Sequence, residues 1–219
     1  MDGCERDPDR AFRVNAQGTK NVAKACQAFN TALAYISTDF VFDGEKGEPY
    51  TEDDAPNPLG QYGASKLAGE EYVRALCPRH FIVRTAWLYG EHGKNFPLAI
   101  LTAAKSKKEL KVVADQVGSP TFTFDLALAI RDLISTSRYG TYHIANKGSC
   151  SWYEFAKRIL SLAGIYDVKV TPIDSENWPS PTKRPRYSVL RNNALELQGK
   201  DNLCPWEEAL KDFISRLSL

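Results

Sequence analysis

The sequence predicts an α/β protein, with a parallel sheet in its first half and a smaller lobe from about residue 92 onward. Two observations carry this. Short apolar runs of strand length alternate with stretches of helical periodicity, and "ALAYIS" (32–37) has the apolar character of a buried parallel strand. Beyond residue 91 the elements become less regular, as in a lobe packed against such a sheet.

Along the chain, 7–29 predicts a helix. Ala11, Phe12, Val14, Val22, Ala23, Ala25, Cys26 and Phe29 keep a helical rhythm, with Asp7 as N-cap and Pro8 at the first helical position. The strand 32–37 leads into a long Gly/Pro/Asp-rich loop, "TDFVFDGEKGEPYTEDDAPNPLG", of a length that is functional or disordered in a compact domain. A helix opens at "QYGASKLAGEE" (61–71). Then come a strand (80–90), a helix (95–107), a strand (110–115), a helix (123–136) and a strand (140–146). Ser151 and Glu154 form an S-x-x-E capping box for the next helix, which Gly164 closes. A strand at 167–173 and a Pro-rich stretch (178–188) precede a last helix entered at Pro205.

The composition, 43% hydrophobic and 25% charged over 219 residues, suits one large domain or one domain plus a lobe. A net charge of +1 offers no case for nucleic acid or an anionic membrane. No apolar run approaches the roughly 20 residues of a membrane span, and "MDGCERDPDR" lacks the apolar core of a signal peptide. Cys4, Cys26, Cys77, Cys150 and Cys204 are odd in number and scattered, which suits reduced thiols in a cytoplasm. His80, His92 and His143 have no metal-ligand spacing.

Thr38 falls at the C-terminal end of a strand, where open α/β sheets place their ligand crevice. Tyr62 and Lys66 share a helix face at i, i+4. A hydroxyl, a phenol and an ammonium so arranged can polarise a carbonyl and protonate it, with hydride from a nicotinamide cofactor. The Lys66 charge is expected to lower the phenol's pKa toward the working range.

The motifs "STDFVFDG" (37–44), "YGASK" (62–66), "RTAWLYG" (84–90), "NF" (95–96), "DQVGSPT" (115–121) and "PTKRP" (181–185) occur in the order and spacing of one family. The chain resembles the dTDP-4-dehydrorhamnose reductases of the extended short-chain dehydrogenase/reductase superfamily, over nearly its whole length. That resemblance implies an incomplete Rossmann-like fold, with residues 1–91 the C-terminal part of the NAD(P)-binding domain and 92–219 mainly the substrate lobe, some segments of which return to the Rossmann sheet. It implies NADPH (NADH as the alternative), a nucleotide-sugar substrate, and a homodimer with Mg²⁺ between carboxylates as an option. Thr38, Tyr62 and Lys66 match the catalytic triad, with Tyr62 and Lys66 at the cofactor; Asp39 and Trp87 match sugar contacts. Arg184 matches a position near the diphosphate, where a guanidinium pairs well. Phe40 departs from the family's usual Tyr, losing a hydroxyl and keeping the ring.

Each assignment has a plainer reading. Trp87 could be a core aromatic, Asp39 a turn residue, Arg184 a solvated loop charge, and "DQVGSPT" a structural turn. The sheet is expected to be incomplete, because no G-x-x-G-x-x-G phosphate cradle occurs; by comparison with the family, roughly 60 N-terminal residues are absent, and this chain is expected to bind cofactor weakly or be inactive. The alternative reading is a non-catalytic regulatory subunit, like that of methionine adenosyltransferase, a homologue within the same family.

Overall fold

The computed structural model describes residues 1–217. Its first part runs α1 (Asp2–Arg6), α2 (Pro8–Phe12), a π-helical turn (Arg13–Gly18), α3 (Thr19–Ala28), β1 (Leu33–Thr38), a 3-10 turn (Asp39–Val41), α4 (Gln61–Leu76), β2 (His80–Thr85) and β3 (Leu88–Tyr89). There follow α5 (Phe96–Ala104), β4 (Glu109–Val113), β5 (Val117–Gly118), β6 (Thr121–Phe122), α6 (Thr123–Ile134), β7 (Gly140–His143) and β8 (Cys150–Ser151). The chain closes with α7 (Trp152–Leu162), β9 (Lys169–Ile173), a 3-10 turn (Ser175–Asn177), α8 (Asn193–Leu197) and α9 (Trp206–Arg216).

The expected parallel sheet is present, in the order β1-β2-β7, with Thr38 opposite Thr85 and Arg84 opposite His143. Both faces are covered, which is why its strands read as near-continuous apolar runs. Tyr35 and Ile82 pack against Val73 of α4 on one face. Phe81, Val83 and Tyr142 pack against Leu126 and Leu133 of α6 and Leu195 of α8 on the other. A second core gathers Phe155 and Ile159 of α7, Leu110 of β4, Leu210 and Phe213 of α9, and Leu101 of α5. β4 pairs in parallel with β9 beside it.

Several local expectations hold. Asp7 caps α2, accepting a hydrogen bond from the Arg10 N–H (2.9 Å), with Pro8 in the first turn. The Ser151/Glu154 capping box is formed in both directions. Two differ. The helix over 7–29 is interrupted by the π turn, where the Asn15 carbonyl accepts from Thr19 Oγ1 (2.7 Å) and the Asn15 amide donates to Ser65 Oγ (3.0 Å). The strand over 80–90 breaks after Thr85, because Trp87 adopts φ +46°, a conformation no strand accommodates. The chain resumes as β3, paired with β6 instead of the main sheet.

One charged cluster fixes α4 to the sheet. Glu70 is fully buried and accepts from Ser37 Oγ (2.5 Å), Arg84 Nε (3.0 Å), Arg84 Nη2 (2.8 Å) and Arg74 Nη2 (2.7 Å). Arg84, also buried, reaches His143 Nε2 at 3.5 Å, while His143 Nδ1 meets the Tyr50 carbonyl at 3.0 Å. Burial pushes the His143 pKa down to about 3, so the ring is neutral. Satisfied on every side, the cluster links α4, β1, β2 and β7; broken, it strands a buried charge.

Glu70→Ala is therefore expected to cost about 3–5 kcal/mol, by leaving Arg84 buried and unpaired. Asp167→Ala, which removes the exposed pair with Lys108, is expected to leave stability close to that of the wild type. Urea unfolding of the two variants checks the contrast; equal losses would contradict it.

Candidate active site

The C-terminal ends of β1 and β2 open into a cleft of about 320 Å³, and all six residues singled out from the sequence line it: Thr38, Asp39, Tyr62, Lys66, Trp87 and Arg184.

Thr38 ends β1 in an extended conformation. Its hydroxyl accepts from the Phe40 N–H (3.2 Å), starting the 3-10 turn, and donates to Asp39 Oδ1 (3.0 Å). Asp39 is buried, with Ser188 Oγ donating to its other oxygen at 2.6 Å. Burial pushes its pKa up to about 6, against the pull of the Ser188 and Thr38 hydrogen bonds. It is no solvent-facing turn residue.

Tyr62 sits in the first turn of α4, whose leading N–H, on Gln61, donates to Glu5 Oε1 of α1 (2.7 Å). The helix can approach the 3-10 turn because residue 63 is glycine: a Cβ there would lie 2.0 Å from the Phe40 carbonyl oxygen. The Phe40 ring meets Tyr62 edge-on at 5.8 Å, so the aromatic contact survives without the hydroxyl.

The electrostatics correct one expectation. The Tyr62 phenol lies above its ordinary pKa of 10, not below it. Burial is the main cause, Asp39 and Cys4 add to it, and only the neighbouring Thr38 hydroxyl pulls downward. Lys66 has no part in the shift: its ammonium lies over the Tyr35 ring, 4.0 Å from the centroid. Burial brings Lys66 itself down to about 8, with Glu70 opposing.

Trp87 stacks face to face on Trp152, the first residue of α7, with centroids 3.4 Å apart and planes at 4°. Its positive φ, costly for a bulky residue, holds the indole at the cleft. Arg184 is half-buried; its Nη2 approaches Asp2 at 3.9 Å, and its Nε is buried with no partner among the described residues. The Thr85 hydroxyl is likewise buried and unpartnered, beside Thr38 on the same cleft wall. Two unused donors and a lysine around a crevice at strand C-termini suit a polar ligand such as a nicotinamide nucleotide.

Sequence reasoning missed Trp152, Gln116, Ser188 and Thr85. The Ser151/Glu154 capping box puts Trp152 at a helix start, yet nothing in the sequence says which way that start faces. Gln116 lies within "DQVGSPT", expected as a structural turn; the segment does pair β5 with β8, but Gln116 also lines the cleft. His92 is exposed, away from it. Among the described residues no three His, Cys, Asp or Glu side chains gather to hold a metal, so nothing supports a magnesium site, and no helix is long and apolar enough to cross a membrane.

The family model described as the RmlD substrate binding domain matches residues 1–219. The chain is 40% identical over 220 residues to the spore coat polysaccharide biosynthesis protein SpsK of Bacillus subtilis, covering 100% of this chain and 76% of that one. A solved dTDP-4-dehydrorhamnose reductase from Clostridium acetobutylicum is 51% identical with a TM-score of 0.97, covering 100% of this chain and 78% of its own. Another from Bacillus anthracis, in complex with NADP, is 46% identical with a TM-score of 0.97, covering 99% and 77%.

The raised Asp39 pKa sets a pH signature. Between pH of about 4 and about 6 the folded chain keeps a proton that the unfolded chain has lost. The stability this gives is full below that window and is lost as pH rises through it, by on the order of 3 kcal/mol. Urea unfolding of the wild type and Asp39→Asn from pH 4 to pH 7 should show the loss in the wild type only; parallel curves would remove the burial argument.

Proposed function

The chain belongs to the RmlD substrate binding domain family, and on that premise we propose that it reduces the 4-keto group of dTDP-4-dehydro-L-rhamnose to give dTDP-L-rhamnose, with NADPH. The observation that carries this is the convergence of Thr38, Asp39, Tyr62, Lys66, Trp87 and Arg184 on one cleft at strand C-termini. Residues up to about 91 would serve the cofactor, and the remainder mainly the sugar nucleotide, with β7 returning to the sheet.

NADPH, when bound, supplies the hydride to the carbonyl carbon. The chain's own residues handle the oxygen. Thr38, turning its hydroxyl away from Asp39, would hold it by a hydrogen bond as negative charge develops. Tyr62 gives it the proton: with its pKa above 10, the phenol is in its acid form at neutral pH, the form a reductase needs. Lys66, one helical turn on, offers its ammonium to a ribose hydroxyl. Asp39 is at hand for a sugar hydroxyl, Trp87 for the apolar face of the deoxysugar, and the unpartnered Arg184 Nε for a diphosphate oxygen.

In a form of the protein that carries the glycine-rich phosphate cradle, Tyr62→Phe is expected to lower kcat by roughly 10²–10⁴-fold while leaving the sugar nucleotide's affinity nearly unchanged. Turnover is followed by loss of reduced-nicotinamide absorbance, and wild-type turnover in the variant would refute the assignment. Arg184→Ala is expected to weaken binding of dTDP by about tenfold or more in isothermal titration. Unaltered affinity would place the diphosphate elsewhere.

A further inference from the structure

We propose that Tyr35 is a positioning residue for Lys66: its ring face is the seat of the ammonium, and its hydroxyl ties down the helix turn that carries it. The inference rests on the role given to Lys66 above, and its test does not require turnover.

Three separate features meet at this point. The Lys66 ammonium lies 4.0 Å from the centroid of the Tyr35 ring, within the range of a cation–π contact. The Tyr35 hydroxyl, at the buried end of the same ring, is shared between the Lys66 carbonyl (3.1 Å) and the Asn15 carbonyl (3.4 Å). Asn15 lies in the π turn, which presents its carbonyl to Thr19 Oγ1 as well. Gly69 leaves room for the hydroxyl: a Cβ there would stand 2.3 Å from Tyr35 Oη and 2.5 Å from the Asn15 oxygen. A glycine inside a helix costs stability relative to alanine, and here it admits one phenol oxygen.

The surroundings show why a seat is needed. Burial disfavours the charged form of Lys66. Glu70 on α4 acts on its charge, Tyr35 of β1 lies against it, Tyr62 lines the same cleft, and Arg84 on β2 is paired to Glu70. Glu70 is the one anion whose field reaches Lys66, yet its ion pairs go to Arg84 and Arg74. The ring quadrupole favours the ammonium without offering a lone pair to fix it. The charge is thus kept while the head group stays free to transfer to a ligand hydroxyl.

The experiment is competitive acetylation of Lys66 across pH, quantified by mass spectrometry, which gives the midpoint of its titration. The wild type and Tyr35→Phe are expected to share a midpoint near 8. Substituting a trifluorinated phenylalanine, of nearly the same shape but with a weakened quadrupole, should lower the midpoint. Tyr35→Leu should lower it by about one unit, a tenfold change in the protonation equilibrium. If the fluorinated and plain phenylalanine variants titrate together, or if Tyr35→Phe falls as far as Tyr35→Leu, the ring is not the seat and the proposal is overturned. The fluorinated variant keeps the test valid should Tyr35→Leu fail to fold. Full turnover in Tyr62→Phe would overturn the reductase reading and leave these midpoints where they are.

Discussion

Glu70 is the residue on which the arrangement of the cleft depends. Its carboxylate, sealed from water, takes four donors from three elements: Ser37 on β1, Arg84 twice on β2, and Arg74 on its own helix. A buried ion pair of this kind contributes less to net stability than its contacts suggest, because both charges were desolvated to form it. What it supplies is register. Rotating α4, or sliding it by one residue, would leave Arg84 charged and alone in the sheet. The face of α4 that carries Lys66 and Tyr62, one and two turns before Glu70, is thereby aimed at the ends of β1 and β2. The π turn and the close approaches at Gly63 and Gly69 act in the same direction, pressing α4 onto neighbours that a longer side chain would displace.

Burial is also what sets the chemistry of the cleft. It raises Asp39 and Tyr62 and lowers Lys66, in each case favouring the neutral form. The expected simple picture, in which a lysine acidifies a tyrosine, gives way to one in which desolvation governs all three groups. For a reduction this is consistent chemistry. The phenol must hold its proton until the carbonyl oxygen becomes basic enough to take it. The apolar side of the cleft is built on the Trp87–Trp152 stack, whose first member is kept in a left-handed conformation by the packing around it.

Much of this was legible in residue order. Asp7 with Pro8, Ser151 with Glu154, and the apolar runs at 32–37 and 80–83 announced their elements, since caps and strand patterns act over a few residues. Thr38, Tyr62 and Lys66 were legible as a set from a strand end and an i, i+4 pair, and linked motifs extended the set to Asp39, Trp87 and Arg184. The break at Trp87, the π turn and the pairing of β5 with β8 were not legible, because each is decided by what the segment packs against.

The sequence by itself determined the α/β order, the helix that joins Tyr62 to Lys66, and the kinds of groups available for proton transfer. Only the tertiary structure decided that those groups are buried, that the Lys66 ammonium rests on Tyr35, that Ser188 holds Asp39 from 149 residues away, and that Trp152 stands behind Trp87. The reason is physical. Capping and periodicity are short-range, whereas desolvation and long-range hydrogen bonds depend on which distant segments close over a side chain.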